Sequence, residues 1–441
     1  MANHIKIKKG LDIPLQGKAS GTPVDDRESE LFAITPDDFP GCTWKAVVKA
    51  GDSVAHGSPL LIDKASGTIT LTSPVDGTVK EIHRGERRKI EFVSVEKGVC
   101  TDKADFNTST EREQIRTTLQ ASGMWAMMRQ RPFDIVPEAE STPRDIFVTA
   151  FDSAPLAPAI LEDSLAPYLE KGLEILKRLT DGHVYLGVRA GSGITSRVAE
   201  VYEFEGPHPA GNVGTQIAAI NPVNKGETVW ALDAETAARI GKLYTDGNLD
   251  FSTVVAITGP EAKSPHSVRT IIGASLKTLL KGAVAGNDTR IISGNVLTGV
   301  KETADGFLRY PYRQITLIQE GEHADEFMGW ASMNPRKFSV KHTFPAFLRG
   351  LTKPYDFDSR IKGGHRAMIL SGEYDKVFPM DIYPEYLLKA ILAGDIDKME
   401  KLGIYEVAPE DFALPEFVDT SKNELQKIVR EGLDNLRKEL S

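Results

Sequence analysis

The chain has 441 residues, of which 41% are hydrophobic and 26% charged, as in an ordinary globular protein with roughly two to four domains. Its formal net charge of −9 argues against non-specific nucleic-acid binding. No apolar run approaches the roughly 20 residues that span a bilayer, so we expect a cytoplasmic chain without a transmembrane segment. The two cysteines, Cys42 and Cys100, are far apart, and the histidines form no metal-binding pair, so we predict neither a disulfide framework nor a metal site.

Residues 1–104 form the first predicted domain, which is rich in strands and turn residues. The N-terminus lacks the apolar core of a signal peptide, and the alternating sequence IKIKKG predicts an edge strand. Residues 48–82 predict two short, nearly mirrored β-hairpin units, a pattern typical of the flattened barrel of lipoyl and biotinyl carrier domains. The dipeptides that mark the turns are Gly51-Asp52, Gly57-Ser58 and Asp76-Gly77.

Lys64 raises the question of a swinging-arm carrier, because carrier domains bear their modified lysine at a hairpin tip. Ser66 and Gly67 lengthen the segment between Lys64 and the Ser73-Pro74 turn, which should move the tip away from the lysine. A scaffold barrel with an unmodified surface lysine is therefore the favoured interpretation.

Residues 105–258 form the second predicted domain, in which the hydrophobic period changes. Thr110-x-x-Glu113 predicts a capping box for a helix through Leu119, which Gly123 ends.

A βαβ unit is predicted next in this domain. DIFVT at residues 145–149 and HVYLGV at residues 183–188 are short apolar strands, and leucines at helical spacing lie between them. Such a unit predicts a parallel sheet. Residues 229–258 repeat the order strand, helix, strand.

The remaining chain divides into two parts. Residues 259–320 return to short strands, with a small helix around residues 274–280, and residues 321–441 end in helices. An apolar stripe predicts that the last helix packs against a core. The stripe consists of Leu425, Ile428, Val429, Leu436 and Leu440.

The glycine-rich loops do not match nucleotide-binding motifs. The loop at residues 187–193 follows a strand but lacks the third glycine of GxGxxG. The loop at residues 206–211 has Walker-like outer glycines, but Asn212 replaces the lysine and two prolines remove amide donors. Acidic pairs such as Asp37-Asp38 lie in polar segments and are predicted to be solvated. The residues alone indicate no self-contained catalytic centre.

Two stretches carry candidate ligand contacts, SGMWAMMRQRPF at residues 122–133 and the loop at residues 206–215. Guanidinium groups can donate to carbonyl oxygens, and aromatic rings can stack on a planar ligand. A packed domain junction fits the same pattern equally well. The candidate contacts are Trp125, Arg129, Arg131, Phe133 and His208.

Six stretches in one order carry a family resemblance: IKIKKGLDIPL, SGMWAMMRQRPF, STPRDIFVTAFD, GPHPAGNVGT, IGKLYTDG and VRTIIGASL. Together they resemble the NqrA family of subunits, found in the Na+-translocating NADH:quinone reductases, essentially from end to end. The family also resembles RnfC and the flavoprotein subunits of complex I. The resemblance implies a barrel-sandwich hybrid, a Rossmann-like α/β domain, a β-grasp domain of the SLBB type at residues 259–320 and a helical C-terminal region.

Two departures from those relatives imply that this chain binds no cofactor of its own. Flavin-binding relatives have a glycine-rich loop where this chain has Gly123, Met124 and Trp125, whose bulk should keep a flavin phosphate away. RnfC relatives carry cysteine-rich iron–sulfur motifs near the C-terminus. The corresponding residues 375–384 and 414–419 contain no cysteine, so no cluster can be held. The C-terminal region is therefore predicted to be a cysteine-free, ferredoxin-like remnant.

The resemblance implies a peripheral subunit on the cytoplasmic face of the bacterial inner membrane, within a complex that oxidises NADH, reduces a quinone and exports Na+. Flavins and an iron–sulfur centre would lie on partner subunits, both membrane and flavoprotein. This chain, inactive when isolated, would contribute to assembly and to quinone interaction through the five candidate contacts. Two alternatives stay open: a purely structural assembly subunit, and an independent NAD(H)- or flavin-dependent oxidoreductase, which the broken glycine loops disfavour.

Overall fold

The computed structural model describes residues 3–26, 28–321, 338, 340 and 354–440. These residues form two six-stranded sheets, two smaller sheets and a helical C-terminal region. The predicted domain at residues 321–441 is described only in part, since residues 322–337, 339, 341–353 and 441 lie outside the described residues.

The strands, in chain order, are β1 (Asn3–Lys6), β2 (Val24–Asp25), β3 (Leu31–Ile34), β4 (Trp44–Ala46), β5 (Ser53–Val54), β6 (Pro59–Asp63), β7 (Thr70–Thr72), β8 (Gly77–Arg84), β9 (Ile90–Lys97), β10 (Arg129–Arg131), β11 (Ile146–Thr149), β12 (Val184–Arg189), β13 (Glu200–Glu205), β14 (Val229–Asp233), β15 (Ser252–Thr258), β16 (His266–Ile271), β17 (Thr289–Ser293), β18 (Val300–Glu302) and β19 (Gln314–Gln319). The helices are α1 (Arg112–Ala121), α2 (Leu169–Lys177), α3 (Val213–Ile220), α4 (Ala234–Asp246), α5 (Leu276–Leu279), α6 (Tyr374–Val377), α7 (Pro384–Leu392), α8 (Ile396–Lys401), α9 (Ala413–Val418) and α10 (Leu425–Leu440).

The N-terminal region is a flattened barrel of two small sheets, with the orders β3-β9-β8-β5 and β4-β6-β7. Val79 and Val93 from one sheet and Leu60 and Leu61 from the other are buried in one core. Gly51 and Gly57 have φ values of +92° and +87°, as the turn prediction requires. This architecture is the predicted barrel-sandwich hybrid.

The turn at Asp76-Gly77 differs from the prediction, because it does not close a hairpin. It carries the chain from β7 in one sheet to β8 in the other, while β7 pairs with β6. A Cβ atom on Gly77 would lie 2.0 Å from the carbonyl oxygen of Glu96. Glycine is therefore needed here for the close approach of β8 and β9 rather than for a turn conformation.

Lys64 is exposed at the base of the β6–β7 turn, and Ser66 and Gly67 form the middle of that turn. The carboxylate of Asp63 holds the turn by accepting hydrogen bonds from the backbone N–H groups of Thr43 and Ser66, both at 2.9 Å. The lysine thus precedes the tip of the hairpin.

The α/β sheet has the strand order β1-β13-β12-β11-β14-β10. Neighbouring strands from β1 to β14 run parallel, and α2 connects β11 to β12, so the predicted βαβ unit is confirmed. The N-terminal strand β1 is an edge strand, as predicted, but it belongs to this sheet rather than to the barrel. Only β10 is antiparallel to its neighbour among these paired strands.

The helix predicted from the capping box forms, but the capping box itself does not. Helix α1 begins at Arg112, and no side chain caps its first turn. Its N-cap is Glu111 rather than Thr110, because the first intrahelical bond runs from Ile115 N–H to the carbonyl oxygen of Glu111. The sequence pattern was therefore one residue out of register with the helix.

The second six-stranded sheet has the order β18-β17-β19-β15-β16-β2. It includes β15, which the sequence assigned to the α/β domain. Strand β15 pairs antiparallel with β16, because the short link after Thr258 returns the chain beside β15. On its other side β15 pairs parallel with β19. In this repeat, β14 joins the first six-stranded sheet, whereas β15, the strand that follows α4, joins the second.

The C-terminal helices have a hydrophobic core of their own, which includes Leu387, Phe412 and Leu433. Helix α10 matches the predicted amphipathic segment, although Leu440 at its end is exposed. Within the part of the chain that the structure describes, no helix combines the length and apolar character needed to cross a membrane.

Candidate functional site

A cavity of about 450 Å³ lies at the carboxyl ends of β11 and β14. Strands β12 and β13 extend the sheet on one side of β11, and β14 lies on the other, so the order of strands reverses here. In open α/β sheets, ligands bind at this point because the loops after the two strands diverge. Thr149 and Asp233 come from the strand ends, while Asp38, Gln314 and Glu410 come from the barrel, the second sheet and the C-terminal region.

The cavity has aromatic and apolar walls and an excess of acidic groups. The walls include Met127, Phe151, Ile160, Tyr310 and Tyr312. Six carboxylates and four guanidinium groups line it: Asp37, Asp38, Asp134, Asp152, Asp233 and Glu410, with Arg129, Arg131, Arg309 and Arg313. This balance disfavours phosphate groups and favours a neutral ligand.

Arg129 lines the cavity and is bonded to the backbone. Its guanidinium donates to the carbonyl oxygens of Ala126 and Met128 at 3.1 Å, and to that of Asp38 at 2.6 Å. Arg129 therefore connects the edge of the α/β sheet to the barrel.

Arg131 stands among three carboxylates at the boundary with the C-terminal region. Its guanidinium donates to Glu410 at 2.8 Å and lies 3.5 Å from both Asp134 and Asp411. Burial raises the pKa of Glu410 to about 7, and the like charges of Asp411 and Asp134 add to this against the opposing effect of Arg131. One cation cannot neutralise three carboxylates, so this cluster retains a proton near neutral pH.

Replacing Glu410 by glutamine is expected to remove the contribution of this residue to the pH dependence of stability between about pH 4.5 and 7, the ordinary and the folded-state pKa of Glu410. The raised pKa means that the Glu410 carboxyl group binds more protons in the folded protein than in the unfolded chain in this window. The contribution of Glu410 to the free energy of unfolding therefore falls as the pH rises through it. Urea denaturation across this range measures the slope. Glu424→Gln, at an exposed position, should keep the wild-type slope, and an unchanged slope in Glu410→Gln would contradict the assignment.

His208 lies at the edge of the cavity and is buried. Its Nδ1 is 3.0 Å from the hydroxyl oxygen of Ser153, and its backbone N–H donates to Asp12 at 2.9 Å. Burial lowers the pKa of His208 to about 4, so the imidazole is neutral at pH 7.

The structure places Trp125 and Phe133 away from the cavity lining. Trp125 is fully buried, donates from Nε1–H to the carbonyl oxygen of Pro137 at 2.8 Å, and contacts Trp230 edge-on at 4.9 Å. Phe133 packs against the core of the C-terminal helices. Trp125 and Phe133 are therefore packed in or against the hydrophobic cores of the protein, as the alternative of a packed domain junction predicts. The other three candidates, Arg129, Arg131 and His208, line one cavity.

Sequence reasoning missed Asp38 and its partner Arg309. Asp38 is not solvated as predicted: it accepts from Arg309 at 2.7 Å and from the backbone N–H of Tyr310 at 3.0 Å. Burial raises the pKa of Asp38 to about 6 despite the opposing charge of Arg309. The sequence RYPYR at residues 309–313 repeats the arginine and aromatic pattern of the candidate stretch and could have indicated this wall.

Buried ion pairs fix the floor of the cavity. Arg313 bonds to both Asp233, at the end of β14, and Glu235, in the first turn of α4. Across residues 3–26, 28–321 and 354–440, no group of three or more histidine, cysteine or acidic side chains is placed to hold a metal ion.

The chain is thus a multidomain protein in which a flattened barrel, a Rossmann-type sheet and a second mixed sheet meet around a cavity at the switch point. Cavities in this position are common sites for small ligands in other proteins. Family models match three segments: the NqrA N-terminal barrel-sandwich hybrid domain at residues 5–98, the NqrA second alpha/beta domain at residues 110–249, and the NQRA C-terminal domain, of the SLBB type, at residues 254–304.

Full-length relatives agree with these matches. The NqrA protein of the Na(+)-translocating NADH-quinone reductase of Pasteurella multocida is 38% identical, and that of Actinobacillus succinogenes 39% identical, each over 99% of this chain and 100% of the relative. The corresponding protein of Neisseria meningitidis serogroup B is 35% identical over the same shares. The chain therefore belongs to the NqrA family, and the predicted resemblance and fold class are confirmed.

Among solved structures, an NAD+-reducing [NiFe]-hydrogenase in the H2-reduced state aligns over 75% of this chain and 62% of that chain, with 13% identity and a TM-score of 0.36. This likeness is too distant to bear on function.

Proposed function

We propose that this chain serves as the NqrA subunit of a Na+-translocating NADH:quinone reductase and that the cavity between β11 and β14 receives the headgroup of a quinone. The observation that carries the proposal is the cavity itself, which has an appropriate size, aromatic walls and a lining with more acidic than basic groups. A quinone is planar, neutral and apolar apart from its carbonyl oxygens, so it suits this lining better than a phosphate-bearing ligand.

The proposal assigns no flavin or metal to this chain. Met124 and Trp125 are fully buried where flavin-binding relatives were expected to have an open glycine-rich loop. A Cβ atom on neighbouring Gly123 would lie 3.0 Å from the hydroxyl oxygen of Thr72, so the barrel closely covers this segment. The residues present do not fit a flavin phosphate, and electrons would come from cofactors on partner subunits.

The partners proposed for this chain are the membrane and flavoprotein subunits of the same complex, with the chain docked at the cytoplasmic face. The names of its full-length relatives support a place in such a complex. The alternative is a structural subunit without a ligand, for which the buried surroundings of Trp125 are the supporting observation.

Ubiquinone-1 is expected to quench the intrinsic fluorescence of the full chain in a saturable manner. Trp230 lies in β14 next to Ala231, which lines the cavity, and Trp125 contacts Trp230. Ala154→Phe should weaken binding at least about tenfold, because Ala154 also lines the cavity and the larger ring would occupy part of it.

Ala159→Phe provides a matched control in the same loop, since Ala159 is exposed and should tolerate the ring. Wild-type affinity in this variant is expected. Quenching that never saturates, or equal affinity in both variants, would favour the structural alternative.

A further inference from the structure

His208 is held rigidly at the edge of the cavity. It lies in the loop that precedes α3, is 4% exposed, and is anchored through its backbone N–H to the carboxylate of Asp12 at 2.9 Å. The imidazole ring contacts Ser153 through Nδ1, and Nε2 has no assigned hydrogen-bond partner in the part of the chain that the structure describes.

Ser153 determines which nitrogen carries the proton. Its hydroxyl oxygen accepts a hydrogen bond from the backbone N–H of Gly211 at 2.8 Å and lies 3.0 Å from Nδ1 of His208. The oxygen accepts from Gly211, and within the described ranges of the chain Nδ1 of His208 is the one acceptor assigned to its proton, so donation to Nδ1 satisfies the hydroxyl group in both roles. Nδ1 is then an acceptor, and the proton of the neutral imidazole must reside on Nε2.

Gly211 makes this arrangement possible. A Cβ atom at this position would lie 2.6 Å from the backbone nitrogen of Ser153 and 2.9 Å from its hydroxyl oxygen. Only glycine allows the two loops to approach closely enough for the backbone N–H to reach Ser153.

The Nε2–H group has no assigned hydrogen-bond partner among the described residues, and His208 lines the cavity. Burial keeps the imidazole neutral at pH 7 by lowering its pKa to about 4. His208 therefore offers a donor without a positive charge, in a cavity whose acidic excess disfavours anions. Such a donor suits the carbonyl oxygen of a neutral ligand.

We propose that Ser153 is a positioning residue that holds His208 in the Nε2–H tautomer, and that His208 donates this hydrogen bond to a carbonyl oxygen of the neutral ligand in the cavity. The identity of that ligand as a quinone rests on the proposed function, whereas the tautomer follows from the contacts of Ser153 alone.

The test combines ¹⁵N NMR of the histidine-labelled full chain with binding of ubiquinone-1. The His208→Gln variant identifies the imidazole signals of His208 by their loss. In the wild type, Nε2 should show the shift of a protonated nitrogen and Nδ1 that of an acceptor. Ser153→Ala should change this tautomer signature and weaken ubiquinone-1 binding about tenfold, the loss of one well-placed hydrogen bond.

Ser153→Thr, which restores the hydroxyl group, should recover both the signature and the affinity, a rescue that a merely structural role would not produce. A wild-type signature with the proton on Nδ1 would overturn the proposal, as would unchanged affinity in a Ser153→Ala variant whose tautomer has changed. If the wild type binds no ubiquinone-1, the proposed function and the donor role toward quinone fail, while the NMR signature still decides the role of Ser153.

Discussion

Replacing Arg131 by alanine is expected to lower the free energy of unfolding by about 3–5 kcal/mol, the usual cost of removing one partner from a buried ion pair. The Arg131 side chain is only 3% exposed and faces Glu410, Asp134 and Asp411. Without it, three carboxylates would face one another at the boundary with the C-terminal region. Urea denaturation measures the loss, and pH 8 is chosen because the carboxyl groups are more fully ionised there than near neutral pH.

The same substitution should cost less near pH 5, because protonation of the cluster relieves the repulsion. Adding Glu410→Gln to Arg131→Ala should recover part of the loss for the same reason. Lys427→Ala is the control, since it removes an exposed pair with Glu424 in α10 and should cost below about 1 kcal/mol. A loss in Arg131→Ala no larger than that of the control would show that the cluster does not stabilise the fold.

The local hydrophobic pattern predicted the elements of the α/β sheet well. Strands β11 and β12 are short continuous apolar runs that are buried along nearly their whole length, whereas the buried residues of α2 recur at helical spacing. It did not predict which sheet a strand joins. Strands β1 and β15 have ordinary strand patterns, but β1 pairs far along the chain with β13, and β15 pairs with the distant β19 in the other sheet. Pairing across long separations depends on three-dimensional contacts that no local period records.

Only part of the candidate site could be predicted from the sequence, for a similar reason. Residues 122–133 do approach the cavity, through Arg129 and Arg131. Trp125 lies in a helical turn before β10 and points into the core. The sequence indicates that this segment lies near the cavity, but it does not show which of its side chains point into the cavity and which point into the core.

Asp38 was predicted to be solvated, whereas the structure shows that its side chain is buried and paired. Its polar surroundings in the sequence predicted solvation, yet Arg309 and the backbone of Tyr310 satisfy it inside the protein. These partners lie on a different part of the chain, so the burial of the carboxylate could not be read from its neighbours. The cavity is built mainly of such long-range contacts, which is why its acidic excess became visible only in the folded chain.

Gly172→Ala is expected to destabilise the protein by about 3 kcal/mol, because α2 and α4 pack through their backbones. A Cβ atom at Gly172 would lie 1.8 Å from the carbonyl oxygen of Ala237, and one at Gly241 would lie 2.0 Å from that of Tyr168. Backbone atoms of a helix cannot move aside as a side chain can, so the helices would have to separate. This cost exceeds the gain of about 1 kcal/mol in helix propensity. Thermal and urea unfolding of the full chain measure the difference.

Gly432→Ala in α10 is the control for Gly172→Ala, because it replaces a helical glycine and the closest contacts of the added Cβ atom are with a side chain rather than with the backbone of another helix. The three atoms nearest to a Cβ atom at Gly432 all belong to the side chain of Ile391, at 2.9–3.0 Å, so the crowding could be relieved by a shift of one side chain without separating two helix backbones. The gain in helix propensity should then offset most of the crowding, and stability should change by less than about 1 kcal/mol. If Gly172→Ala cost no more than Gly432→Ala, the two helices would have room to adjust, and the backbone contact between α2 and α4 would not require glycine at position 172.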